Sequence, residues 1–172
     1  TADEHRLASR NAEANGSRVE AMRFLGAATN LSDASSDWAD YSRLLILAAQ
    51  EDQNNQSGLL RRSFLASINA FLRTESAAAR HNILLDLATA LQRTGRGGDS
   101  VSALRLAQTL QFRDDTERLL DEAIGKFGFR IIEDQVQADS LRPRICATFS
   151  DDLVVSGVDY ESYVQLPQPG LT

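Results

Sequence analysis

At Phe127-Gly128 the apolar pattern of this chain changes period, and that change limits the folds open to it. Upstream, apolar residues recur three and four apart, the spacing of one helix face. Downstream, Ile145, Ala147 and Phe149 alternate with Cys146 and Thr148, the period of two that a strand imposes. The strand-like stretch is short. A sheet this small cannot bury both faces, so its missing strands are expected beyond Thr172 or on another chain.

The helical part divides at its turn and cap residues. Residues 1–16 are polar, with little large apolar surface beyond Leu7, and read as a linker or a frayed N-terminal helix ending at Asn15-Gly16. A helical domain is expected over residues 17–127. Its first helix carries Val19, Met22, Leu25 and Ala28 on one face. The run from Asn30 to Asp37 is a loop, and Ser36 or Asp37 is the expected N-cap of a helix bearing Trp38, Tyr41, Leu44, Leu45 and Ala48. Ser57 opens the next, with Leu60, Phe64, Ile68, Phe71 and Leu72 inward; Thr74 caps another, from Ser76 to about Arg93. Thr94 to Gly98 is a turn, and Asp99 or Ser100 starts a helix aligned on Ala103, Leu104, Ala107 and Leu110. Asp114 with Glu117 three residues later suggests a capping pair for the last helix, whose face is Leu119, Leu120, Ala123, Ile124 and Phe127. Short loops between amphipathic helices place neighbours antiparallel. The expected fold is mainly α: an antiparallel helical bundle or a set of helical hairpins, followed by a small C-terminal β segment over residues 128–172.

Residues 81–114 fit a tetratricopeptide-like unit: Leu84, Leu87, Ala88 and Leu91 on one helix, Ser100, Leu104 and Ala107 on the next. Phe112 stands where that repeat usually has proline, and no clear second copy is visible in the sequence. One degenerate unit reads more readily as a plain, well-packed helical hairpin.

Past Gly128, a fitting helix C-cap, Phe129 to Gln137 is strand-like. Pro143 cannot continue a ladder, so a new strand starts after Pro143; Ser156-Gly157 turns the chain, and Asp159 caps one helical turn through Tyr160 and Tyr163. Val164 to Leu166 is a further candidate strand, closed by Pro167 and Pro169.

Charge narrows the partners. The net charge is −6, and no basic cluster exceeds a pair such as Arg61-Arg62. Nucleic-acid binders carry a basic stripe that displaces counterions from phosphates, so no nucleic-acid partner is expected. Acidity also disfavours an anionic membrane surface. No apolar run approaches the ~20 residues of a membrane helix, so no direct membrane span is expected. The chain begins Thr-Ala-Asp-Glu, without initiator Met or signal-like region, and reads as a mature chain or an excised piece.

The sequence offers no catalytic residues, no cofactor site and no metal site. Gly95 to Gly98 lies between helices and lacks the Gly-Lys-Ser/Thr ending of a phosphate loop. His5 and His81 are the only imidazoles, and His81 reads as a surface or packing residue. The lone Cys146 permits no internal disulfide and reads as a small buried apolar residue. Asp114-Asp115 reads as a helix cap, Asp151-Asp152 as a solvated turn. Asn15, Asn30 and Asn55 head Asn-x-Ser triplets of the kind chance supplies in an Asn- and Ser-rich chain. With no convergent acid, base or nucleophile, the chain is not expected to be an enzyme.

The run FGFRIIEDQVQADSLRPRICATFSDDLVVSGVDYESYVQLPQPG, from Phe127 to Gly170, resembles the start of the first macroglobulin-like β-sandwich of bacterial alpha-2-macroglobulins, also called large extracellular alpha-helical proteins. The likeness rests on Pro143 to Cys146, Phe149 to Leu153, Val158 to Tyr160, Tyr163-Val164 and Leu166-Pro167. Upstream, Ser36 to Asp40, Leu104 to Gln108 and Asp114-Asp115 are similar to the helical segment preceding that sandwich in some members. The resemblance implies that residues 128–172 are a truncated, incomplete β-sandwich. It also implies that the chain is a non-catalytic N-terminal scaffold or docking module of a protease trap. Its partners would be the downstream domains of its own chain, proteases through the full-length protein, and a periplasmic cell-wall protein. Its location would be the periplasm or cell envelope, and Cys146 would pair with a later cysteine of the same sandwich. Ala147-Thr148-Phe149 after Cys146 departs from the family's Cys-x-Glu-Gln thioester, and no bait segment is recognisable. The alternative is a free-standing tetratricopeptide-like protein-protein interaction module, its groove lined by helices 57–73 and 76–93 with Asn69 and Asn82 exposed.

Overall fold

The computed structural model describes residues 1–137, 139 and 144–163. Two compact units divide the chain, one over Thr1–Gly128 and one from Phe129 onward. The first holds seven helices: α1 (Ala2–Ala14), α2 (Arg18–Ser32), α3 (Ser35–Glu51), α4 (Gln56–Leu72), α5 (Ala77–Arg93), α6 (Gly97–Leu110) and α7 (Asp114–Phe127). They pair as successive antiparallel hairpins, α1 with α2, α3 with α4, and α5 with α6, while α7 packs on α6. The first helices also touch each other, α5 against α3. The repeat that the sequence shows once is thus present three times. First helices start at Ala2, Ser35, Ala77 and Asp114, steps of 33, 42 and 37 residues, and this uneven spacing hides the period.

The N-terminal segment is neither linker nor frayed. A capping box at Thr1 and Glu4 starts α1, which then buries Ser9 and Ala12 against α2. Ser9 Oγ donates to the Ala21 carbonyl at 2.9 Å. Small residues do this docking, so no large apolar stripe announces it. Asp37 is likewise no cap: α3 is preceded by Ala34, and Asp37 sits inside its first turn, 2% exposed. Arg6 of α1 donates to it through Nε and Nη2, at 2.7 and 2.8 Å.

The other starts differ from expectation by one to three residues, as helix termini do. Asn55 precedes α4, and Ser76, accepting from Ala79 N, caps α5 in place of Thr74. Thr74 Oγ1 instead accepts from Ser76 N. The helix after the glycine turn begins at Gly97, and Arg113 occupies the N-cap position of α7, without a side-chain cap.

Two apolar clusters form the core. Leu25, Leu44, Leu45 and Leu60 centre the first; Leu84, Leu91, Val101 and Leu104 centre the second, with Phe64 and Phe71 of α4 packed against it. Val19, Leu72, Leu119 and Ile124, expected inward, are exposed because they flank the buried stripes. Between α3 and α4 the contact is made by serines. Ser42 Oγ lies 2.9 Å from Ser63 Oγ and 2.7 Å from Ser67 Oγ, and all three are fully buried. Small side chains let the helices approach, and each hydroxyl satisfies another in the dry contact.

The second unit is an antiparallel hairpin of β1 (Ile131–Gln137) and β2 (Arg144–Phe149). Val136 faces Ile145 and Gln135 faces Cys146, with an irregularity between Ile131 and Glu133. Phe129 stacks on Phe149, ring centroids 5.0 Å apart, and Ser150 N donates to the Arg130 carbonyl at 2.9 Å. A 3₁₀ turn, Tyr160–Tyr163, follows. No residue of either strand is fully buried. Cys146 is therefore exposed rather than buried, because a hairpin has no interior to hold it. β2 starts at Arg144, directly after Pro143 as expected; the candidate strand Val164 to Leu166, with Pro167 and Pro169, lies outside the described residues.

Candidate functional site

The residues weighed in the sequence stand apart from one another. His5 lies on α1 near the Phe24 ring. His81 is fully buried: its Nδ1 meets the Ala107 carbonyl at 3.0 Å and its Nε2 meets Thr116 Oγ1 at 2.9 Å, joining α5, α6 and α7. It is a packing residue. Asn55 precedes α4, donating to Asp52, and Asn30 donates to the Gly26 carbonyl. Asp114 and Asp115 lie in the first turn of α7; Asp151 and Asp152 are exposed. Among the described residues no group of three His, Cys, Asp or Glu is placed to hold a metal ion. Among them, too, no helix is long and apolar enough to cross a membrane.

What the fold does build is a groove. Stacking three hairpins aligns their first helices, and a trough of about 610 Å³ opens between α3 and α5. Ala39, Ala79 and Ile83 give it a narrow apolar floor; Ser35, Ser36, Thr74 and Asn82 supply polar edges. Asp40 and Arg43 of α3 face Asp86 of α5 across it. A smaller recess of about 180 Å³ between α1 and α3 shares Ser36, Asp40 and Arg43, and adds Arg10 and Glu13. The groove thus runs along α1, α3 and α5, one helix away from the expected wall of α4 and α5. Asn82 lies in it, accepting from Arg113 Nη1 at 2.7 Å. Asn69 is on α4, where it donates to the Leu65 carbonyl and accepts from Arg73.

The electrostatics of the groove are unbalanced. Arg43 lies 3.6 Å from Asp40 and 3.7 Å from Glu13, distances of ion pairs rather than direct hydrogen bonds. Asp86 is half-buried, and among the described residues it accepts no hydrogen bond and has no cation within 4 Å. Burial pushes its carboxyl up to about 6; Arg43 opposes this and Asp40 adds to it. By contrast Asp37, at the edge of the recess, is held below the usual carboxylate range by the Arg6 guanidinium, despite its burial. The sequence reading missed Asp86 altogether. One aspartate among the apolar residues Leu84, Leu85 and Leu87 was the available signal.

No family model matches the sequence, and no curated protein matches it. Among solved structures, a tetratricopeptide-repeat domain of Arabidopsis OM64 is similar, with a TM-score of 0.59 at 12% identity, over 73% of this chain and 95% of that one. At that identity the likeness speaks of the fold alone: this chain is mainly helical, with a tetratricopeptide-like array and a small two-stranded antiparallel sheet.

Proposed function

We propose that the helical unit is a protein-protein interaction module that takes an extended segment of a partner in the groove along α1, α3 and α5. The observation that carries this reading is the open trough between α3 and α5, apolar at its floor and polar at its edges. Apolar floors supply affinity and polar edges fix register, the usual division of labour in a recognition groove. No reaction chemistry converges there, so the proposed role is non-catalytic.

Selection from a random dodecapeptide display library against the whole chain tests it. Recovered peptides should lose binding to Ala79→Trp, which fills the trough, while circular dichroism stays unchanged. Recovery of no binder, or of binders indifferent to that substitution, would overturn the reading.

The hairpin supports a second reading. Ile131, Val136 and Ile145 are more than half exposed on two strands, as expected of a β unit awaiting further strands. With the resemblance to bacterial alpha-2-macroglobulins, the second reading we propose is a scaffold or docking module at the N-terminal side of a periplasmic protease trap. Immunoblotting the source cell with antibody against this chain separates the outcomes. A much larger band in the envelope fraction supports the trap; a cytosolic band near the mass of this chain removes it.

A further inference from the structure

The groove is specific about charge, and this deepens the interaction reading on which it rests. We propose that the trough between α3 and α5 seats a Lys or Arg side chain of the bound peptide against Asp86, with Asp40 as the second carboxylate.

Asp86 is set over an apolar floor, beside Ile83 and across from Ala39, in a position that removes most of its water and, among the described residues, gives it no donor in return. A carboxylate so placed costs stability unless a cation or donor reaches it. Seven charged groups line the trough and its recess. Arg6, Arg10, Glu13, Asp37, Asp40 and Arg43 come from α1 and α3, and Asp86 from α5. Arg6 and Asp37 neutralise each other. Of the rest, Arg43 is shared between Asp40 and Glu13, so among the described residues Asp86 keeps no cation of its own. Arg10 belongs to the recess and does not line the trough. Among the described residues the trough lining carries Asp40 and Asp86 against one arginine, with Arg113 reaching its edge at Asn82, and the whole chain is acidic, with net charge −6. Both the local and the long-range field draw a basic segment and repel an acidic one. A Lys or Arg stem fits the apolar floor while its head meets the two carboxylates, which suits an amphipathic side chain.

Because a cation at Asp86 favours the ionised carboxylate, binding would expel a proton near pH 6 and weaken on acidification. The test uses peptides selected from the random dodecapeptide library, resynthesised with a fluorophore, and the whole chain. Selected peptides should be enriched in Lys or Arg. Replacing the key basic residue by Gln, or Asp86→Asn in the protein, should each weaken binding on the order of tenfold, and both together no further than either alone. Asp121→Asn, an exposed acid on α7, should leave affinity unchanged. Affinity of the wild type should fall between pH 7.5 and 5, and that of Asp86→Asn should not. Asp86→Ser guards against a folding artefact of the amide. Acidic or uncharged peptides that occupy the trough, are blocked by Ala79→Trp and bind Asp86→Asn like the wild type would overturn the charge assignment and leave the interaction reading standing. Failure to recover any trough binder would overturn both.

Discussion

His81 Nε2 lies 2.9 Å from Thr116 Oγ1, and neither side chain reaches solvent. A carbonyl only accepts, so Nδ1–H donates to Ala107, while Thr116 Oγ1 lies within hydrogen-bond reach of both His81 Nε2 and Asp115 Oδ1. One imidazole thereby ties the end of α6 and the start of α7 to α5. His81→Ala would open a cavity and remove both imidazole hydrogen bonds, leaving the Ala107 carbonyl with the Gln111 amide alone and the Thr116 hydroxyl with Asp115 alone, and should cost about 3–4 kcal/mol by urea unfolding. Thr116→Val keeps the shape and orphans only the ring nitrogen, at about 1–2 kcal/mol. A His81→Ala loss near zero would mean the imidazole is not what holds α7.

A second hold on α7 is Gly97. A Cβ there would stand well inside van der Waals contact distance of the Phe127 side chain, whereas one at Gly98 meets nothing within 4 Å. Gly97→Ala should therefore destabilise by about 1–3 kcal/mol through overpacking. Its neighbour Gly98→Ala should gain roughly 0.5–1 kcal/mol from helix propensity alone. Opposite signs at adjacent glycines, read in one denaturation series, distinguish the Phe127 contact from a general effect of side chains at the start of α6.

The Arg6–Asp37 pair predicts an acid limb. Asp37 is held below its ordinary value, chiefly by Arg6, with Ser32 also donating. A carboxyl depressed on folding stabilises the protein above its unfolded value and loses that contribution as pH falls through the folded one. Stability should thus decline below about pH 4, the ordinary aspartate range. Asp37→Asn should flatten that decline, and Arg6→Ala should be the more damaging change at pH 7, since it leaves the nearly inaccessible carboxylate with Ser32 alone. Thermal midpoints measured from pH 2 to 7 for the three proteins check both statements. An unchanged acid limb in Asp37→Asn would assign the decline to other groups.

That pair also marks how far the sequence could be read. The two residues are 31 positions apart, and periodicity reports only neighbours on one helix. Leu44, Leu45, Leu60 and Leu104 were legible as core because each recurs on an apolar face. α1 was not, since Ser9 and Ala12 dock by being small. Helix starts shifted because backbone at Ala34 and Arg113 takes the cap position where Asp37 and Asp114 had the better side chains. The repeat was legible only at residues 81–114, the others being masked by serines at the close contact of α3 and α4. Asp40 and Arg43 look like any solvated helix face until α5 is laid beside them. Cys146 is buried by type but exposed by its place in a two-stranded hairpin.

The groove should carry a cost that one substitution removes. Asp86 has its carboxyl raised to about 6, first by burial, against an unfolded value near 4. The sign is the reverse of Asp37: the folded state holds the proton more tightly, so the contribution of Asp86 is most favourable below pH 4 and falls as pH rises to 6. Asp86→Asn should leave stability unchanged at pH 4 and raise it at pH 7. The rise from near 4 to about 6 bounds that gain at about 3 kcal/mol. Partial solvation of the carboxylate reduces the expected gain to about 1–2 kcal/mol. A residue that lowers stability where it stands is what a binding site retains for its partner's sake. Urea unfolding of both proteins at pH 4 and pH 7 decides the matter. If Asp86→Asn lost stability at pH 7, the carboxylate would already have its partner within the fold, and no ligand cation would be needed to complete it.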